Sequence, residues 1–425
     1  MKEDLLQFIW QHKLLKPLPL ITVSGKEINV LRPGDLNLDS GPDFFNARIE
    51  LDQVILAGNI EVHVNSSDWL KHKHQQDKAY DNIILHVVYK HDKQLEQNSR
   101  FNVEVLELKT LISEETLGKY KQLIQSKQEL PCHNQLPDCS ELHFLNWLDR
   151  MLVERLQNKV GFIQELHKSL EGNYTQTFFI LLLKAFGFKV NAQPFELLGR
   201  HLPFHLLLRH ANDLKQTEAL LLGMAGLLEQ SFKDKYPREL QNEFEFLKRK
   251  YKLIPLDKSL LKYSRMRPGN FPDLRLAQFA AMVHRHTDFL QAPHEFRTAE
   301  KVKKAFELRV SDYWKNHFRL GLEAERNSGN LGKASVDILL INTVVPFLFF
   351  FSLKQDKPEF KAQALHLLEA CEFEHNRKTR LYQVKKDILN SAAQSQACIQ
   401  LFDAYCNKKR CLNCGVAATL LKTGR

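Results

Sequence analysis

Residues 42–91, PDFFNARIELDQVILAGNIEVHVNSSDWLKHKHQQDKAYDNIILHVVYKH, constrain the fold more than any other stretch, because regular alternation there carries many chemically able side chains. From Asn59 to Asn65 apolar and polar residues alternate. This predicts a strand with Ile60, Val62 and Val64 on one face and Glu61, His63 and Asn65 on the other. Phe44 to Leu51 predicts a second strand, with Phe45, Ala47, Ile49 and Leu51 on one face and the hairpin-type connection Asp52-Gln53 after it. Pairing the two would bring Asp43 near Glu61. Ser66, Ser67 and Asp68 offer N-caps to a helix running to about Ala79 and carrying His72, His74 and Asp77. Asn82 to Tyr89 is apolar on both faces, as in a strand covered on both sides. A helix over 3–13 and a strand near 27–31 precede this stretch, so the order is helix, strand, strand, strand, helix, strand.

That order, with Pro42-Asp43 opening the second strand and Glu61-Val62-His63 inside the third, resembles the core of the PD-(D/E)XK nuclease superfamily. The superfamily pattern is an acidic residue, a variable gap, then acidic-x-Lys; here 17 residues separate Asp43 from Glu61, and His63 stands at the lysine position. The resemblance implies a restriction-endonuclease-like αβββαβ core. It also implies Mg²⁺ or Mn²⁺ held by Asp43, Glu61 and the Val62 carbonyl, with a phosphodiester of nucleic acid as substrate. His63 would then accept the water's proton when neutral, donate to the phosphate when charged, or ligate the ion, which would favour Mn²⁺ or Zn²⁺. Through GPDFFNARIEL, GNIEVHV, RMRPGNFPDLRLAQFA and DILLINTVVPF the chain also resembles, over nearly its whole length, a bacterial family described as domain of unknown function 2851. That resemblance implies no activity.

A chain of 425 residues, 44% of them apolar, can bury a large core and is expected to divide into domains. The expected class is α+β: a mixed α/β nuclease-like domain over 1–128, a linker over 129–141 with two prolines and two cysteines, a larger all-α domain over 142–395, and a basic tail over 396–425. Phe101, Val103 and Val105 alternate with Asn102 and Glu104, predicting a further strand, and Leu111 to Gln128 is predicted helical. Beyond Leu142, apolar residues recur at helical spacing. Met1-Lys2 is followed by acidic Glu3-Asp4 rather than an apolar leader, which points to the cytoplasm. The apolar run Ile338 to Leu353 contains Asn342 and Pro346 and falls short of the ~20 residues a spanning helix needs, so a buried core helix is expected and no membrane partner.

A net charge of +10 favours an anionic partner such as nucleic acid. Residues 233–267 hold eleven Lys or Arg against five acidic residues, interleaved with aromatics, which suits phosphates and bases or simply a solvated helix face. Arg265, Arg267 and Arg275 flank the turn-rich Pro268-Gly269-Asn270-Phe271-Pro272 and are candidates for phosphate binding, or for an interdomain brace. The connection at Asn327 to Gly332 is too loose a glycine pattern for a nucleotide loop. Cys398-x7-Cys406-x4-Cys411-x2-Cys414, with Cys371 as a spare, could hold Zn²⁺ or an iron-sulfur cluster; free thiols in a frayed tail are the alternative.

Three functions are therefore expected in order: a metal-dependent nuclease using Asp43, Glu61 and His63; a catalytically inactive nucleic-acid-binding or scaffold protein of the same shape; and a zinc hydrolase using His63, His72 and His74. Glu61 and His63 on a solvated sheet face, with the other histidines as ordinary hydrogen-bonded residues, is the unremarkable alternative.

Overall fold

The computed structural model describes residues 1–37, 39–94, 103–324 and 329–422. The expected strand positions Phe101 and Asn102, and Asn327-Ser328 of the glycine-containing connection, lie outside them. The chain forms two compact units. The first takes Met1–Leu148, Arg377–Lys386 and Cys398–Arg425, and the second takes Asp149–Asn376 and Asp387–Ala397. The cysteine-rich tail thus belongs to the first unit, and the division falls inside a long helix rather than at 129–141.

In the first unit, helix α1 (Glu3–Gln11) opens with Glu3 and Asp4, which suit the positive end of a helix. It buries Leu5, Leu6, Phe8, Ile9 and Trp10. Strands β1 (Leu20–Ile21), β2 (Glu27–Arg32), β3 (Asp35–Leu36), β4 (Phe44–Leu51) and β5 (Val54–Asn65) follow. A short helix α2 (Asp68–Lys71) and two 3₁₀ turns lead to β6 (Ile83–Lys90), and β7 (Glu104–Glu107) ends the sheet. The strand order is β1-β2-β4-β5-β6-β7, with β3 paired to β4. Strands β2, β4 and β5 are antiparallel neighbours, whereas β6 runs parallel to β5 and β7 parallel to β6. Helix α1 packs on β5. The result is a mixed α/β unit whose sheet is buried through Ile49, Ile60, Val62, Leu85, Val87 and Leu106.

One local feature meets the sequence expectation and two depart from it for clear physical reasons. The hairpin between β4 and β5 closes through Asp52 and Gln53 at φ 46° and 69°, as a tight primed turn requires. One strand earlier, Asn46 sits at φ 57° beside a register shift between Phe44 and Ala47, so Phe44 rather than Phe45 turns inward. The predicted helix from Ser66 to Ala79 stops after Lys71, because Lys73 adopts φ 61° and the chain continues as 3₁₀ turns His74–Gln76 and Lys78–Tyr80.

The second unit is mostly helical, but not all-α as expected: an antiparallel hairpin, His317–Arg319 with Leu322–Glu323, lies within it. Its helices include α-helical stretches Tyr174–Phe186, Leu214–Met224, Lys235–Tyr251 and Pro272–Arg285, with a core that contains Phe178, Phe179, Phe186, Phe279 and Phe289. The segment Lys333–Gln355 is long and apolar enough to cross a membrane by length and composition, yet 83% of its apolar window is buried inside the structure. A π-helical turn, Leu340–Val344, interrupts it.

Candidate metal centre

Strand β5 delivers Glu61 and His63, which are only 4% and 1% exposed, so they do not lie on a solvated face. Both sides of β5 are covered at this point. Asp43, at the mouth of β4, is drawn to Glu61 by the β4–β5 pairing: its amide donates to Glu61 Oε2 at 3.1 Å. Asp43 Oδ2 accepts from the Val62 amide at 3.0 Å, and Oδ1 accepts from Gln7 Nε2 on α1 at 2.9 Å. Both Asp43 oxygens are therefore engaged, while Glu61 Oε1 is left facing the histidines.

Four imidazoles meet there. His63 Nδ1 lies 2.9 Å from His86 Nε2, and His63 Nε2 lies 3.1 Å from His72 Nδ1. Glu61 Oε1 stands 3.5 Å from His63 Nε2 and 3.2 Å from His74 Nε2, and Glu3 Oε1 approaches His63 Nε2 at 3.9 Å from the more exposed side. His74 stacks on Tyr80 with ring centroids 3.9 Å apart, and Trp69 closes over His86 at 5.0 Å. These apolar rings wall the site.

The broken helix makes this convergence possible. Residues two apart on a continuous α-helix point to nearly opposite sides, so His72 and His74 could not share a target there. The left-handed turn at Lys73 swings them back together. Ligand atoms of His63, His72 and His74 all lie within 4.8 Å of one another. Among the described residues no other trio of His, Cys, Asp or Glu does so. Asp77 stays outside, exposed and accepting from the Ala79 amide.

The cluster sets carboxylates against neutral imidazoles. Burial, followed by the neighbouring His74 and His72, pulls His63 down to about 3, and burial holds His86 well below its ordinary range, so both rings are neutral at physiological pH. Burial and the adjacent Glu61 charge push the Asp43 carboxyl well above the usual carboxylate range. Burial and then Glu61 do the same to Glu3. Carboxylates gathered at a partly buried site against uncharged imidazoles are costly unless a cation joins them. His74 Nε2 is buried without a hydrogen-bond partner although Glu61 Oε1 is only 3.2 Å away. Two donor atoms that close and not aligned on each other fit a common third point. The residues present thus suit a divalent ion with mixed nitrogen and oxygen ligands.

The other candidates lie elsewhere. Cys398, Cys406, Cys411 and Cys414 are buried thiols rather than a frayed tail, and burial raises each of them. Cys132 joins their neighbourhood, whereas Cys371 belongs to the second unit. In the second unit Arg265 and Arg267 are exposed. Arg275 is buried, donating to Gln278 Oε1 at 2.8 Å and to Asn270 Oδ1, with its guanidinium over the Phe188 ring. Most aromatics of the basic stretch are engaged in packing: Phe244 is buried, and Tyr236 and Tyr263 donate to Glu218 and Asp273. Sequence reasoning missed Glu3 and Gln7, which reach the site from α1, and the role of His86 as the partner of His63.

A sequence-family model described as a protein of unknown function (DUF2851) matches residues 3–377. No curated protein and no solved structure matches the chain.

Proposed function

The chain belongs to the family of proteins of unknown function DUF2851, and for this member we propose a metal-dependent phosphodiesterase that acts on nucleic acid. The observation that carries the reading is the convergence of His63, His72, His74 and Glu61 Oε1, with His74 Nε2 buried and unpaired beside that oxygen. Three antiparallel strands followed by a parallel one, with Asp43 opening one strand and Glu61 inside the next, support the resemblance to a restriction-endonuclease-like core. The charge of +10 supports a polyanionic substrate.

His63, His72, His74 and Glu61 would hold the ion, and so many imidazoles favour Mn²⁺ or Zn²⁺ over Mg²⁺. Bound there, the ion would acidify a water and neutralise charge on the phosphate. Asp43 is the positioning residue: its amide fixes Glu61 Oε2, which turns Oε1 inward. His63 is neutral and serves as a ligand rather than as the cation that a lysine would supply. Glu3, on the exposed side and 3.9 Å from His63 Nε2, is placed to accept the proton that the water gives up.

One observation favours a second reading, a nucleic-acid-binding protein without chemistry. The 3.1 Å contact between His63 Nε2 and His72 Nδ1 gives each of these nitrogens a hydrogen-bond partner within the protein. Elemental analysis of the purified protein, with cleavage of single- and double-stranded DNA and RNA in Mg²⁺, Mn²⁺ and Zn²⁺, separates the two. We expect about one bound ion per chain and cleavage that Glu61→Gln and His74→Ala abolish while binding in EDTA persists. Binding with neither metal nor cleavage would establish the second reading, and absence of both binding and cleavage would remove nucleic acid altogether.

A further inference from the structure

A second site, independent of the histidine cluster, lies within the helical unit. A cavity of about 860 Å³ there is lined by five cations, Lys159, Lys184, Lys189, Arg265 and Arg267, and by no Asp or Glu. That volume suits a small-molecule ligand. Lys184 is paired with Glu196 at 2.9 Å and lies over the Phe162 ring. Among the described residues no carboxylate pairs with Lys189, Arg265 or Arg267, although like charges so placed repel one another. The rest of the lining is largely apolar, including Phe162, Ile163, Leu181, Val190 and Pro346.

The floor is polar. Lys159 Nζ donates only to neutral acceptors: Asn342 Oδ1 at 3.1 Å, the Ile341 carbonyl at 3.2 Å and Gln396 Oε1 at 3.4 Å. The residue is half-buried, and burial followed by the nearby Arg155 pulls its amine down to about 7. Two walls carry left-handed backbone at non-glycine residues, Phe188 at φ 48° and Arg265 at φ 60°, and the π-helical turn contributes Asn342. Such features concentrate at binding sites.

We propose that this cavity binds an amphiphilic anion, with a phosphate or carboxylate head held by Arg265, Arg267 and Lys189 and an apolar chain lying over Ile163, Leu181 and Val190. A nucleotide fits less well. The two amide side chains of the lining are already engaged, Asn342 by Lys159 and the Ile338 carbonyl and Asn270 by Arg275, so little remains to read the edge of a base.

Calorimetric titration of the full chain with decyl phosphate, decanoate, decanol and adenosine monophosphate tests this. We expect one decyl phosphate or decanoate per chain, the stronger of the two identifying the head group, and at least tenfold weaker binding of decanol and of the nucleotide. The exposed pair Arg265→Glu/Arg267→Glu should lose at least tenfold in affinity with an unchanged melting temperature, and the milder Arg265→Gln/Arg267→Gln should fall between. Val190→Asp should weaken binding of the chain-bearing anions. The proposal is overturned if neither anion binds, if decanol binds as tightly as decyl phosphate, if the nucleotide binds more tightly, or if the arginine variants retain full affinity.

Discussion

His63 and His86 are joined across neighbouring parallel strands, Nδ1 to Nε2 at 2.9 Å, with their ring planes 88° apart. Both rings are almost completely buried. When His63 carries its proton on Nδ1 it donates to His86 and leaves the Nε2 lone pair facing Glu61 and His72. A partner of this kind fixes both the tautomer and the angle of a metal-binding ring. His86→Leu should therefore weaken ion binding by roughly ten- to a hundredfold, read by competition with a chromogenic chelator, while circular dichroism stays that of the parent. Undiminished affinity would show that His86 is only a packing residue.

Lys73 offers a sharper test of how the site is shaped. A glycine there adopts φ 61° without strain, whereas a β-branched residue resists it. Lys73→Gly should keep ion affinity close to that of the parent, and Lys73→Val should lose it and cost roughly 1–3 kcal/mol in stability. The pair separates backbone geometry from the loss of the lysine charge.

Gly58 supports the same region from below. A Cβ there would meet Ile84 Cγ2 at 2.5 Å and the Asn82 carbonyl at 2.7 Å, next to the register shift where β5 begins to pair with β6. Gly58→Ala should cost roughly 1–3 kcal/mol through overpacking, seen as a lower urea midpoint. It should also weaken ion binding, because Glu61 pairs with His86 just beyond.

Much of the site is legible in the sequence, and the remainder has identifiable causes. Alternation places Glu61 beside His63, and the length of the hairpin brings Asp43 opposite Glu61. Phe45 is assigned to the wrong face because a single left-handed residue, Asn46, shifts the register, and a period-two reading has no place for an extra residue. Lys73 carries no glycine or asparagine signal for its turn, so an unbroken helix is the natural expectation, even though His63, His72 and His74 are named together as zinc ligands. Glu3 and Gln7 reach the site only through the packing of α1 on β5, a relationship across more than thirty residues that no local pattern encodes. The cysteine spacing suggests a tail motif, but whether a thiol is solvated or buried depends on what covers it.

In the helical unit Glu218 gives a pH-dependent prediction. Complete burial pushes its carboxyl up to about 7, against hydrogen bonds from Trp314 Nε1 at 3.0 Å and Tyr236 Oη at 2.9 Å that favour the anion. The folded pKa is raised above the unfolded value of 4.5. The protonated form is therefore favoured by folding, with full stability below about 4.5 and a loss of roughly 3 kcal/mol as pH rises through 7. Melting temperatures between pH 5 and 8 should fall for the parent and stay flatter for Glu218→Gln. Parallel curves would show that Glu218 does not set the slope.

The parallel pairing of β5 with β6 has a consequence for how the protein opens. Parallel neighbours need a crossover, and the crossover here is the segment that carries His72 and His74, while His63 lies on the strand before it and His86 on the strand after. An ion held by these histidines would tie the crossover to β5, so local opening of residues 66–82 would require its release. Amide hydrogens of that segment would then exchange by a route whose free energy rises with the concentration of free ion, as RT ln(1 + [L]/Kd). The occupancy of the site would set how often the sheet is uncovered, making the ion a clasp on the fold as well as a participant in chemistry.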